Sequence, residues 1–137
     1  MEYSEPTIIN VGEIADARGN LSVLECPGAL PFTPVRVYWI YDVPTGRIRY
    51  GHAHYVQYEV ITALSGSFEV HVRGTWGART YRLSKPWEAL YLPAMTWREI
   101  DSFSSNSVAL VLSSGLFDES DYIRDLDLFN EIISADV

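Results

Sequence analysis

Two histidines one residue apart, in Gly51-His52-Ala53-His54, are the groups in this chain best suited to chemistry. An imidazole takes up or releases a proton near neutral pH, and in its neutral form it binds divalent metals. Residues two apart on a strand point to one face, so His52 and His54 project together. Glu59 can join them from the neighbouring strand, bringing a carboxylate. Such a trio suits either proton transfer at carbon or a facial triad for iron, manganese, nickel or zinc. His71, set between Val70 and Val72 on an alternating segment, reads instead as an exposed polar position.

The elements that must hold these groups are short strands between turns. Val35–Tyr41 is rich in β-branched and aromatic residues, and Phe68–Arg73 alternates apolar with polar. Further strands are expected at 21–25, 58–64, 78–83, 87–92 and from 98, with turns at Asp16–Asn20, Pro44–Gly46, Ser65–Ser67 and Gly74–Gly77. Val108–Leu112 is a continuous apolar run, which suits a strand covered on both faces. Only the tail has helical spacing, at Tyr122, Leu126, Phe129 and Ile133, with Ser120 as N-cap and Asp121 in the first turn. The pattern predicts an all-β sandwich or barrel closed by one short C-terminal helix.

Composition bounds the partners. The 137 residues suit a single domain, 1–137, able to bury roughly two thirds of its unfolded surface. Cys26 is the only cysteine, so no internal disulfide forms and a reducing compartment fits. No run approaches the roughly 18 apolar residues of a membrane span. The N-terminal residues lack a secretory pattern. A soluble, cytoplasmic protein with no membrane partner is expected. The net charge of −8 argues against nucleic acid. Nine of the ten basic residues are arginine, whose planar fork suits bidentate capture of phosphate.

The stretch Gly46, five residues, His52, Ala53, His54, four residues, Glu59, six residues, Gly66 resembles the first motif of cupins. That resemblance implies a cupin jelly-roll β-barrel with the histidines in its pocket. In metal cupins a later histidine completes the ligand set, and here Arg98 stands at that position. Arginine stays protonated, cannot ligate and repels a cation, so no metal is expected. A Glu59–Arg98 ion pair would compensate both charges inside the barrel.

From about Glu13 to Phe129 the chain further resembles the WxcM-like nucleotide-sugar 3,4-ketoisomerases. The matching pieces are Asp16-Ala17-Arg18-Gly19-Asn20-Leu21, Arg36–Asp42, Arg49–His54, Trp97-Arg98-Glu99 with Phe103-Ser104, and Asp121–Asp125. The resemblance implies an isomerase that moves the carbonyl of a TDP-4-keto-6-deoxyhexose from C4 to C3. It also implies a cofactor-free homodimer with exchanged N-terminal strands.

Proton transfer through an enediol needs a base of pKa near 7. His54 is expected to move the carbon-bound proton, with His52 orienting the sugar or shuttling the oxygen-bound proton, though the two roles are interchangeable. Tyr38 is a candidate donor to the enediolate oxygen. Arg18 and Arg49 are candidates for the diphosphate or the sugar oxygens, and Trp97 for stacking on thymine. Glu59 and Arg98 depart from the family's usual glutamine and histidine, which points to a different sugar or C4 configuration. Two other readings stay open: a metal-dependent cupin enzyme using His52, His54 and Glu59, and an epimerase or sugar-nucleotide binding module.

Overall fold

Alternation decides this architecture. Along one strand Phe68, Val70 and Val72 are buried while Glu69, His71 and Arg73 face outward, as a period of two requires. In a computed structural model, which describes residues 3–135, such strands build two five-stranded antiparallel sheets. The elements are β1 (Thr7–Asn10), β2 (Ile14–Asp16), β3 (Gly19–Leu21), β4 (Arg36–Tyr41), β5 (Arg49–His54), β6 (Glu59–Ser65), β7 (Phe68–Gly74), β8 (Gly77–Leu83), β9 (Glu88–Leu92), β10 (Trp97–Asp101), β11 (Val108–Ser113), β12 (Tyr122–Ile123) and α1 (Leu126–Ala135). One sheet has the order β1-β9-β6-β11-β4, the other β12-β5-β10-β7-β8, and β2-β3 is a separate hairpin.

From β4 onward each strand passes the chain to the opposite sheet, except at the β7–β8 hairpin. This is a jelly roll. Ile61, Phe68, Val70, Leu83, Leu90, Leu92 and Val111 fill the space between the sheets. The pocket occupies the end of that space where β5 and β10 face β6.

Three expectations change. The helix begins at Leu126, not after Ser120. Asp118 accepts from the Ser120 amide, and Glu119–Asp121 form a single 3₁₀ turn. Tyr122 and Ile123 then pair with His54 and Ala53 as an added strand. Sheet pairing thus outcompetes helical propensity there, and Asp125 caps the shorter helix by accepting from Asp127 N and Leu128 N. The run 108–112 is buried on one face only, through Ala109 and Val111; its other face fronts an open groove beside Val11, Val23 and Leu24. The strand expected at 21–25 ends at Leu21, and β1, β2 and β12 had no expected counterpart.

Gly51 lets β5 approach β10 at a register shift between Arg98 and Ile100. A Cβ at position 51 would lie 2.5 Å from the Arg98 carbonyl oxygen and 2.6 Å from Trp97 Nε1. Gly51→Ala is therefore expected to cost about 1–3 kcal/mol by overpacking, read as a lowered midpoint in denaturant unfolding.

Candidate active site

β5 supplies the two histidines from one sheet, and β6 supplies Glu59 from the sheet opposite rather than from a neighbouring strand. His52 sits across from Arg98 in the β5–β10 ladder, and His54 across from Tyr122 in the β5–β12 ladder. Both side chains point inward. Their rings meet edge to face with centroids 5.0 Å apart, and Tyr122 packs on both, at 4.9 Å from His52 and 4.4 Å from His54.

Glu59 is the hub. Its Oε1 accepts from Arg98 Nη1 at 2.6 Å, and its Oε2 accepts from Ser113 Oγ at 2.5 Å. The Tyr38 hydroxyl donates to the same carboxylate at 3.1 Å, and Arg36 Nη2 stands 3.8 Å away. Burial alone would raise this carboxyl's pKa, but the Arg98 charge and the Ser113 hydrogen bond outweigh it and hold it down, to about 2. The expected Glu59–Arg98 pair is present, with both side chains almost wholly buried. Arg98 is further fixed by donating from Nε and Nη2 to the Thr96 carbonyl.

A cavity of about 290 Å³ opens onto this network. Tyr38, His52, Glu59 and Arg98 form its interior, and Arg36, Arg49, Tyr122 and Arg124 also line it. His52 Nε2 and His54 Nε2 are buried with no hydrogen-bond partner among the described residues. An unsatisfied buried polar atom costs stability unless something else uses it. His52's pKa is pushed down to about 2, first by burial and then by Arg98 and His54. The ring is thus neutral in the free protein, and the same burial and positive charge weaken it as a proton acceptor until a negative charge stands beside it. Burial and the Glu59 charge push the Tyr38 hydroxyl pKa up, which keeps it a proton-bearing donor.

The two histidines sit at different depths. His52 lines the cavity, whereas His54 is wholly buried behind it. Two other expected site residues are not brought to the cavity. Trp97 precedes Arg98 on β10, so its side chain takes the opposite face. There its ring packs against Phe129 of α1 with centroids 5.8 Å apart, and Nε1 donates to Glu99. Arg18 lies on the exposed β2–β3 hairpin, paired with Asp16 at 2.7 Å and 90% accessible. Arg49 does line the cavity. His71 stays on the outer face, bonded to Asp101 and Thr80.

Residue types alone missed Arg36, Asp121, Tyr122 and Arg124. Arg36 is held by the Gly115 carbonyl, Gln57 and Ser113, with its guanidinium 5.4 Å over the Tyr38 ring. Arg124 forks onto Glu119 and lies 4.3 Å over Tyr122. The signal for the last three was the Asp121–Asp125 signature, whose helical spacing hid its role at the pocket.

His52, His54 and Glu59 each offer a ligand atom, all within 4.8 Å of one another. The set does not fit a divalent metal. Arg98 already donates to one Glu59 oxygen, and its fixed charge beside that carboxylate repels a cation.

Comparison with known proteins sharpens the picture. The sequence model of the family described as "FdtA: WxcM-like, C-terminal" matches residues 4–134. The TDP-4-oxo-6-deoxy-α-D-glucose-3,4-oxoisomerase of Aneurinibacillus thermoaerophilus is 36% identical over 130 residues, covering 95% of this chain and 94% of that protein. A histidine-to-asparagine mutant of the 3,4-ketoisomerase QdtA from Thermoanaerobacterium thermosaccharolyticum, in complex with TDP-4-keto-6-deoxyglucose, superposes with a TM-score of 0.91 at 31% identity, covering 95% of this chain and 94% of that one. The TDP-quinovose 3,4-ketoisomerase WlaRB from Campylobacter jejuni gives 0.87 at 34% identity, covering 92% and 97%.

Proposed function

This chain belongs to the WxcM-like FdtA family, and on that premise we propose how its cavity carries out the reaction. The protein is an isomerase that converts a TDP-4-keto-6-deoxyhexose to its 3-keto isomer. The reaction moves two protons. The C3–H bond breaks, its electrons form a C3=C4 double bond, and the C4 carbonyl oxygen gains a proton. The O3–H bond of the enediol then breaks, its electrons form the C3 carbonyl, and the electrons of the C3=C4 bond take up a proton at C4.

His52 is the group that removes the carbon-bound proton and returns one to C4. The observation that carries this is its buried, unpartnered Nε2 on the cavity wall. A neutral imidazole is free to accept, and the imidazolium formed beside an enediolate is favoured by the opposite charge. Arg98 supplies fixed positive charge where the enediolate develops. Tyr38 donates to the enediolate oxygen once its proton leaves Glu59. Arg36, Arg49 and Arg124 at the mouth suit the diphosphate. In D₂O, wild-type enzyme with TDP-4-keto-6-deoxyglucose should yield a 3-keto product bearing deuterium at C4. Exchange at C3 and C5 with the ketone unmoved would mean an epimerase.

We also propose a homodimer with exchanged N-terminal strands. Val37, Trp39 and Tyr41 stand on the outer face of β4, each at least half exposed. β4 is also an edge strand of its sheet. Apolar residues on an unpaired edge invite a second chain. Exchange would carry Arg18 with its hairpin onto the partner, where a diphosphate could meet it. Trp39→Glu is expected to convert the dimer to monomer in light scattering.

A further inference from the structure

Asp121 is a buried carboxylate that the proton route above leaves unused. Its Oδ2 lies 3.1 Å from His54 Nδ1 and accepts from Gln57 N at 3.2 Å. Its Oδ1 accepts from Val56 N at 2.8 Å, and its backbone carbonyl accepts from Tyr55 N at 3.0 Å. All four contacts fall on His54 and the three residues after it. One acid thus grips both the ring and the chain that carries the ring.

Two backbone N–H groups already donate to this carboxylate, so it meets His54 as an acceptor. The nitrogen facing it must then carry hydrogen. We propose that Asp121 is a positioning residue that fixes His54 with its proton on Nδ1 and turns Nε2 toward Glu59 and the cavity network. His54 Nε2 stands 3.6 Å from Glu59 Oε1, and the His54 ring packs edge-on against His52. Tyr122, the next residue in the chain, closes over both rings. Loss of the acceptor therefore changes the hydrogen inventory beside the base without touching the substrate. Where an orienting carboxylate is exchanged for an amide, the amide can donate to the same nitrogen and favour the other tautomer.

The test is ¹⁵N-detected NMR of histidine in the whole protein, with steady-state kinetics beside it. In the wild type, His54 should show hydrogen on Nδ1. In Asp121→Asn the hydrogen should move to Nε2. The kcat should fall by about 100-fold or more while KM stays within about threefold, because Asp121 touches no substrate. A wild-type His54 without hydrogen on Nδ1 overturns the proposal, whether or not the variant folds. So does a folded variant that keeps the wild-type tautomer and kcat. The kinetic arm rests on the ketoisomerase reading and the tautomer arm does not. A wild-type enzyme that turns over no TDP-4-keto sugar defeats that reading and leaves the tautomer to decide on Asp121.

Discussion

His52→Asn should lower kcat by about 10²–10⁴-fold, the range associated with loss of a positioned acid–base group. Asparagine approximates the imidazole's size and polarity but cannot accept a proton at neutral pH. The arginines at the mouth are untouched, so the affinity for TDP should change by less than about threefold, as expected where a residue acts only on the transition state. Calorimetric titration with TDP and a product assay separate the two quantities. Equal losses in TDP affinity and turnover would make His52 a binding residue instead. The free wild-type enzyme should also show no acid limb near pH 6.5 in kcat/KM. A base whose pKa is lowered stays unprotonated as pH falls through that range.

Arg98→Met is expected to damage stability most. Arg98 and Glu59 are buried together, so removing one partner leaves an uncompensated charge, at a cost of about 3–5 kcal/mol. The melting temperature should fall by roughly 10 °C or more. Adding Glu59→Gln to Arg98→Met removes the stranded charge and should recover part of that loss. A double variant as unstable as the sum of the singles would mean the pair does not couple. The single variant also removes a positive charge that lowers His52's pKa. Its acid limb should therefore move to higher pH. A melting temperature unchanged in Arg98→Met would contradict the buried pair.

Much of this was legible in the sequence because strand periodicity is local. The alternation in Phe68–Arg73 and the β-rich run at Val35–Tyr41 specify faces without help from the rest of the chain. The pairing of Glu59 with Arg98 followed from their places in the cupin-like pattern together with their charge, since neither group can be buried unpartnered. What failed was what depends on distant neighbours. Tyr122 has helical spacing to Leu126 and Phe129, and Asp121 suits a first helical turn, yet β5 offers an open edge and draws Tyr122 and Ile123 into the sheet. Trp97 was expected in the pocket because it adjoins Arg98, but neighbours on a strand face opposite ways, and α1 covers that outer face. The order of the two histidines in depth follows from how β12 and β6 close over His54, which no spacing encodes.

The most direct test of His52 as the carbon base follows the substrate C3 proton by NMR in D₂O. TDP-4-keto-6-deoxyglucose is mixed with wild type and with His52→Asn, each first shown to be folded and to bind TDP. Wild type should lose the C3 proton signal as the ketone moves. The variant should leave that signal at full intensity over the same time. Loss of the C3 proton at the wild-type rate in His52→Asn would contradict the assignment of His52 as the base.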